Sequence, residues 1–303
     1  MNYAVTVNNI SKSFGKTKAV ESVSFNVEKC ELFGFIGPDG AGKTTLFRML
    51  TTLLLPDSGD AYVEGFDIVK DFKKIRGSVG YMPGRFSLYQ DLSVEENLKF
   101  FARVFGTTIE ANYELIKDIY VFLEPFRKRR AGKLSGGMKQ KLALCCALIH
   151  KPVVLFLDEP TTGVDPVSRN EFWEMLGKLK EGGITILVST PYMDEASKCD
   201  RIALMQKGKI LDIGLLNDII SKYEKPVYAL RSGDMHKLIL DLRAAENTDS
   251  VYSFGDYLHY TDRRGEAVEE DMKKILISKG HTDIVFKKIN PGIEDCFMSL
   301  MNK

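Results

Sequence analysis

The chain has 303 residues, a length that implies about two domains. Its 44% hydrophobic and 27% charged residues are ordinary globular composition, and a chain this long buries a sizeable core without disulfide staples. Forty-two basic against forty-one acidic side chains leave a net charge of +1, which argues against nucleic-acid binding by bulk charge and against a polybasic membrane tether.

The opening Met1-Asn2-Tyr3-Ala4-Val5 has no basic segment leading into a long apolar stretch, so no signal peptide is expected. Val5–Val7 and Val23–Val27 alternate apolar and polar residues like half-buried strands. Glu31–Ile36 is an apolar run that enters a glycine-rich turn. Lys43–Leu55 then reads as a helix, stopped by the turn signal Pro56-Asp57-Ser58-Gly59. Leu92–Phe105 reads as helical. Val153–Leu157 and Ile184–Val188 read as fully buried parallel strands, with helical stretches such as Asn170–Lys180 between them. These runs hold about five apolar residues, far below the roughly 20 of a spanning helix. The alternation predicts an α/β fold, a mixed sheet with helices on its faces.

A polar, proline-bearing stretch, Ser221-Lys222-Tyr223-Glu224-Lys225-Pro226, reads as a linker. It divides the chain into a larger domain over residues 1–222 and a small C-terminal α+β domain over 223–303. In the latter, Val227–Leu230, Val251–Phe254 and Tyr257–Tyr260 read as strands. Met235–Arg243, Ala267–Lys279 and Ile293–Met301 read as helices. The chain carries no internal repeat. Its five cysteines, at 30, 145, 146, 199 and 296, lack CxxC spacing and read as reduced thiols in a cytosolic setting. Four scattered histidines, His150, His236, His259 and His281, read as surface or helix residues and not as ligands.

The sequence Gly37-Pro38-Asp39-Gly40-Ala41-Gly42-Lys43-Thr44-Thr45 fits G-x-x-x-x-G-K-[ST], between an apolar strand and a helix. Glycines let backbone amides approach phosphate closely, and the following helix N-terminus favours an anion. Lys43 is expected to reach the β- and γ-phosphates of a nucleotide, and the Thr44 hydroxyl to bind Mg²⁺. The buried run 153–157 ends in Asp158-Glu159. An aspartate there is the expected Mg²⁺ partner, and Glu159 is placed to orient or deprotonate the attacking water. Leu134-Ser135-Gly136-Gly137-Met138-Lys139-Gln140 offers a second set of backbone amides at a helix start, with a hydroxyl beside it.

With these motifs in this order, the chain resembles the ATP-binding subunit of an ATP-binding-cassette (ABC) transporter over about residues 3–220. The resemblance implies a P-loop cassette with a helical signature subdomain. It implies ATP hydrolysis with Mg²⁺, Lys43 and Glu159 acting catalytically and Thr44 and Asp158 on the metal. Two cassettes would sandwich two ATP molecules, each between the P-loop of one and Ser135, Gly136 and Gly137 of the other. Thr162-Gly163-Val164-Asp165-Pro166 matches the dimer-contact loop centred on Asp165, and Phe14 matches the aromatic that stacks on adenine. The stretches Tyr81-Met82-Pro83, Arg85-Phe86-Ser87-Leu88-Tyr89 and Val94-Glu95-Glu96-Asn97-Leu98 are similar to cassettes of multidrug exporters. So is the ending Pro291–Phe297. That likeness implies a separately encoded integral-membrane permease, docked near Leu92–Phe105. It also implies a peripheral location at the cytoplasmic face of the membrane and no nucleic-acid partner. The second cassette is either another copy or a different chain.

The chain departs from the family at three points. Gly84 stands where a Mg²⁺-touching glutamine is usual, and Pro191 where a histidine contacts the γ-phosphate. Cys30 replaces a turn glycine, with slight strain expected. The first two imply slow hydrolysis, and the Thr190 hydroxyl is a candidate substitute for the histidine. Two other readings stand beside the exporter: a regulatory, hydrolysis-poor nucleotide-binding cassette, and a soluble ABC ATPase outside transport.

Overall fold

The structure, a computed structural model, describes residues 3–85, 87–265 and 268–301; Phe86 of the exporter-like stretch and Ala267, the expected start of a helix, lie outside these. The chain divides into two compact units, one up to Leu216 and one from Asn217.

The first unit opens with β1 (Tyr3–Phe14) and β2 (Thr17–Glu28), an antiparallel pair joined through Gly15 at φ +59°. Both strands are much longer than the runs read from the sequence. Register shifts along the pair break the period-two alternation on which that reading rests. β3 (Leu32–Ile36) leads to α1 (Lys43–Leu50). Then come β4 (Ser58–Val63), β5 (Phe66–Asp67), α2 (Phe72–Ser78) and β6 (Val79–Met82). A helical segment follows, made of α3 (Val94–Val104), α4 (Tyr113–Tyr120) and α5 (Gly136–Leu148). β7 (Val154–Asp158), α6 (Pro166–Glu181), β8 (Thr185–Thr190), β9 (Arg201–Gln206) and β10 (Lys209–Gly214) close the unit, before α7 (Leu216–Ser221).

Helix α1 stops five residues short of the expected Leu55. Thr51 and Thr52 are β-branched, and Thr52 takes φ +63°, a conformation no helix contains. The amides of Leu53 and Leu54 both turn back to the Arg48 carbonyl at 2.8 and 3.0 Å, closing the helix end. Ser58 and Gly59, read as part of a turn, begin β4. Gly59 is needed there, because at φ +80° an added Cβ would lie 2.3 Å from the Asn9 carbonyl oxygen. Cys30 does carry strain, at φ +59°.

Two sheets frame the unit. One is antiparallel, in the order β2-β1-β4-β5; the other runs β10-β9-β3-β8-β7-β6 and is parallel apart from its edge strand β10. Every residue of β3, β7 and β8 is buried, as strands covered on both faces require. Along β7 the side chains alternate between two cores. Val154 and Phe156 join Phe25, Phe35 and Phe47 in one. There Phe35, Phe47 and Phe156 meet edge to face with centroids 5.6 Å apart. Leu155 and Leu157 join α3, α4, α5 and α6 in the other. The strand end that carries Asp158 is thus fixed from both sides.

The second unit is an antiparallel sheet in the order β12-β13-β11-β14, from β11 (Val227–Arg231), β12 (Thr248–Phe254), β13 (Tyr257–Asp262) and β14 (Val285–Ile289). Its helices are α8 (Met235–Arg243), α9 (Glu269–Ser278) and α10 (Ile293–Met301). Leu238 and Leu242 of α8 and Met272 and Leu276 of α9 pack on Leu230, Val251, Leu258, Tyr260 and Phe286. Strand β14 escapes the sequence reading because exposed Lys287 and Lys288 occupy its middle.

Candidate functional site

The loop Gly37–Gly42 joins the end of β3 to the start of α1. Gly40 and Gly42 take φ of +75° and +104°, and a Cβ at Gly42 would lie 2.2 Å from the Ala19 carbonyl oxygen. The loop therefore rests against the start of β2, beside the hairpin end where Phe14 sits with half its surface exposed. Gly37 is equally confined, 2.0 Å from the Met205 carbonyl oxygen if given a Cβ. Pro38, Asp39 and Gly40 face outward, Ala41 is buried, and Thr44 and Thr45 lie in the first turn of α1.

Lys43 is buried at 3% exposure. Its Nζ donates to the carbonyls of Gly37 at 2.6 Å and Pro38 at 3.0 Å, and lies 3.3 Å from Glu159 Oε1. Thr44 Oγ1 donates to Asp158 Oδ1 at 3.1 Å, and Ser189 Oγ donates to the same oxygen at 2.7 Å. Glu159 has φ +50°, held there by its amide, which donates to both the carbonyl and the hydroxyl of Ser189. A strained backbone at this point turns the carboxylate out of the buried strand toward Lys43. The four polar groups expected from the sequence, Lys43, Thr44, Asp158 and Glu159, are thus one constellation.

Thr44, Asp158 and Glu159 line a pocket of about 490 Å³ together with Arg48, Pro83, Gly84 and Arg85. Sequence reasoning missed the two arginines and Ser189. Nearby, burial and the Asp158 carboxylate push the Tyr81 phenol up to about 12, with Arg48 acting in the opposite direction. The oxygens of Thr44, Asp158 and Ser189 are hard donors that fit Mg²⁺. Among the described residues no cluster of three or more His, Cys, Asp or Glu could hold a metal. A magnesium ion here would therefore draw its other ligands from phosphate and water, its usual pattern.

Ser135, Gly136 and Gly137 are not part of this pocket. Ser135 caps α5, accepting from the Met138 amide at 3.3 Å. A Cβ at Gly137 would lie 2.8 Å from Ser168 Oγ, and one at Gly136 would lie 3.4 Å from the Gly163 carbonyl oxygen. The serine-glycine-glycine turn is therefore packed on the loop that carries Asp165. Asp165 caps α6 by accepting from the Ser168 amide at 3.0 Å, a bond that lowers its pKa.

The structure corrects the expectation for Thr190. Its hydroxyl is fully buried and donates to Glu195 Oε2, while accepting from the Tyr192 amide. Glu195 Oε1 in turn accepts from Thr161 at 2.9 Å and lies 3.5 Å from Arg169 Nε. The hydroxyl belongs to a buried network, not to the phosphate pocket. Thr190→Ala is accordingly expected to lose about 1–3 kcal/mol in urea unfolding, the usual cost of an unsatisfied buried group. A fall in turnover without that loss would return the hydroxyl to the phosphate. At Gly84 a Cβ would lie 3.0 Å from the Asp158 carbonyl oxygen, so any side chain there presses on the end of β7.

Residues 20–162 match a family model described as ABC transporter. A "Probable multidrug ABC transporter ATP-binding protein YbhF" from Escherichia coli is 44% identical over 212 residues, 69% of this chain; the chain spans only 37% of that relative's length. A "Nod factor export ATP-binding protein I" from Burkholderia lata is 40% identical over 97% of this chain and 96% of its own. A solved structure titled "Structure of ATP binding subunit of ABC transporter" matches with a TM-score of 0.66 at 27% identity, over 72% of this chain and 92% of that one.

Proposed function

The chain belongs to the ABC transporter ATP-binding family, and from that membership we propose that it is the ATP-hydrolysing subunit of an exporter. The observation that carries the reading is the convergence of Lys43, Thr44, Asp158 and Glu159 at one strand end. In this reading residues 1–222 are the ATP-binding cassette and 223–303 an accessory domain. The amides of Gly37–Thr45 and the start of α1 hold the phosphates, and Lys43 neutralises them. Phe14 offers a ring face to the adenine. Glu159 orients and deprotonates the attacking water. Thr44 and Asp158 would hold Mg²⁺, which would supply charge neutralisation at the phosphates.

Ser135, Gly136 and Gly137 lie outside the pocket, so the proposal places them, with Asp165, against the ATP of a second cassette, in a homodimer or heterodimer. Gly84 and Pro191 bring no side-chain donor, and each such contact is commonly worth about 3 kcal/mol. Slow turnover follows, with Arg48 and Arg85 supplying positive charge on that side of the pocket.

No helix among the described residues is long and apolar enough to cross a membrane. In this reading a separate permease makes the membrane passage, with this chain peripheral at the cytoplasmic face. An apolar groove of about 350 Å³, lined by Leu53, Leu88, Phe101, Val104 and Phe105 among others, supports docking at α3. Leu53 and Val104 expose 56% and 61% of their surface, which favours a covering partner. The test is ATP turnover of the chain alone and with its co-expressed permease. Co-purification and a rise of about tenfold or more, equivalent to about 1.4 kcal/mol off the barrier, are expected. A chain that never co-purifies and hydrolyses equally fast alone would favour a soluble ABC ATPase.

A further inference from the structure

The second unit holds a polar cavity of about 330 Å³ that no step of ATP hydrolysis uses. Its floor is one face of the β12–β13 ladder, where Ser250, Tyr252, His259 and Thr261 stand together. The opposite face of the same strands carries Val251, Leu258 and Tyr260 into the core. Asp295 and Ser299 of α10 form one wall, and Tyr223 and Glu224 with their neighbours form another. A sheet face beneath a helix is ordinarily apolar, since packing rewards it. Here the space is lined with hydrogen-bonding groups instead.

Those groups are ordered. Lys225 is held by Asp249 at 2.7 Å, and Thr261 donates to the same carboxylate oxygen at 3.2 Å. Asp295, only 5% exposed, accepts from His259 Nδ1 and from the Gly292 amide, each at 2.8 Å. This bond fixes the orientation of the ring. Three carboxylates, Glu224, Asp249 and Asp295, line the space with two ammonium groups, Lys222 and Lys225, and the His259 ring that Asp295 holds. Burial, followed by the Asp295 and Asp249 carboxylates, pushes the Tyr223 phenol well above its ordinary pKa. Tyr223 and Tyr252 add two aromatic side chains to the lining.

We propose that this cavity binds a small organic cation, an ammonium carrying a hydroxyl or aromatic group. Carboxylate charge and aromatic faces together recognise such ligands, and the cavity is within the size range of small-molecule sites. The occupant is distinct from the nucleotide, whose phosphates the Glu224, Asp249 and Asp295 carboxylates disfavour.

Isothermal titration of the full chain with choline and tyramine tests this. Each has a neutral counterpart of matching shape, 3,3-dimethylbutan-1-ol and 4-propylphenol. At least one cation is expected to bind with Kd below about 1 mM, and its neutral counterpart at least about tenfold more weakly. Glu224→Gln, at an exposed position, and Tyr223→Leu are each expected to weaken that binding about fivefold or more, while Glu246→Gln does not. Saturating ATP is expected to leave it unchanged. No cation binding in that range, equal binding of the neutral counterpart, insensitivity to both cavity variants, or displacement by ATP would each overturn the proposal.

Discussion

Mixing a Lys43→Ala chain with a Gly137→Val chain is expected to restore ATP turnover that neither has alone. Lys43→Ala removes the buried ammonium that sits 3.3 Å from Glu159. Gly137→Val drives a side chain into Ser168, whose Oγ lies 2.8 Å from the position of a Cβ. If each ATP lies between the phosphate loop of one chain and the serine-glycine-glycine turn of another, each variant paired with itself has two broken sites. A mixed pair has one intact site, formed by the Lys43 of the Gly137→Val chain and the Gly137 of the Lys43→Ala chain. Random pairing makes half the dimers mixed, so recovery to about a quarter of wild-type turnover is expected in a two-fold assembly. A mixture as inactive as its components would show that the turn does not complete the site of another copy.

The second large effect is expected at Asp158. Replacing it with asparagine keeps an oxygen that accepts from Thr44 and Ser189, now at 3.1 and 2.7 Å, and keeps the shape of the buried strand end. What is removed is the negative charge. Turnover is expected to fall about 10²–10³-fold and the magnesium concentration for half-maximal rate to rise, because a neutral amide holds a divalent cation poorly. The far-ultraviolet spectrum and melting point check that the fold survives. An unchanged magnesium dependence would take Asp158 off the metal.

Much of this site is written locally in the sequence. Gly40 and Gly42 are left-handed positions that the loop needs, and they fall within nine residues of Lys43 and Thr44. The buried run ending in Asp158-Glu159 is a strand because continuous apolar residues suit a sheet covered on both faces. What escapes is set by distant partners. Ser189 matters because β8 lies beside β7, which brings its hydroxyl to Asp158 across 31 positions of sequence. Thr190 is one residue further along the same strand, so its side chain points to the other face and meets Glu195. Alternation alone gives no sign of which face holds the phosphate. The longer β1 and β2 were hidden by bulges, and β14 by its two lysines, since in both the local pattern loses its period. The polar cavity of the second unit arises only when β12, β13 and α10 are brought together.

The measurement that bears most directly on the motor reading is ATP turnover by the purified chain against its Glu159→Gln variant, with ATP binding measured on both. Glutamine fills the same space but cannot take a proton, so the account predicts intact binding and a rate lower by about 10²–10⁴-fold. Equal turnover in the two chains would remove Glu159 from the chemistry. ATP binding without turnover in either would make the chain a holding or regulatory cassette, contradicting the account.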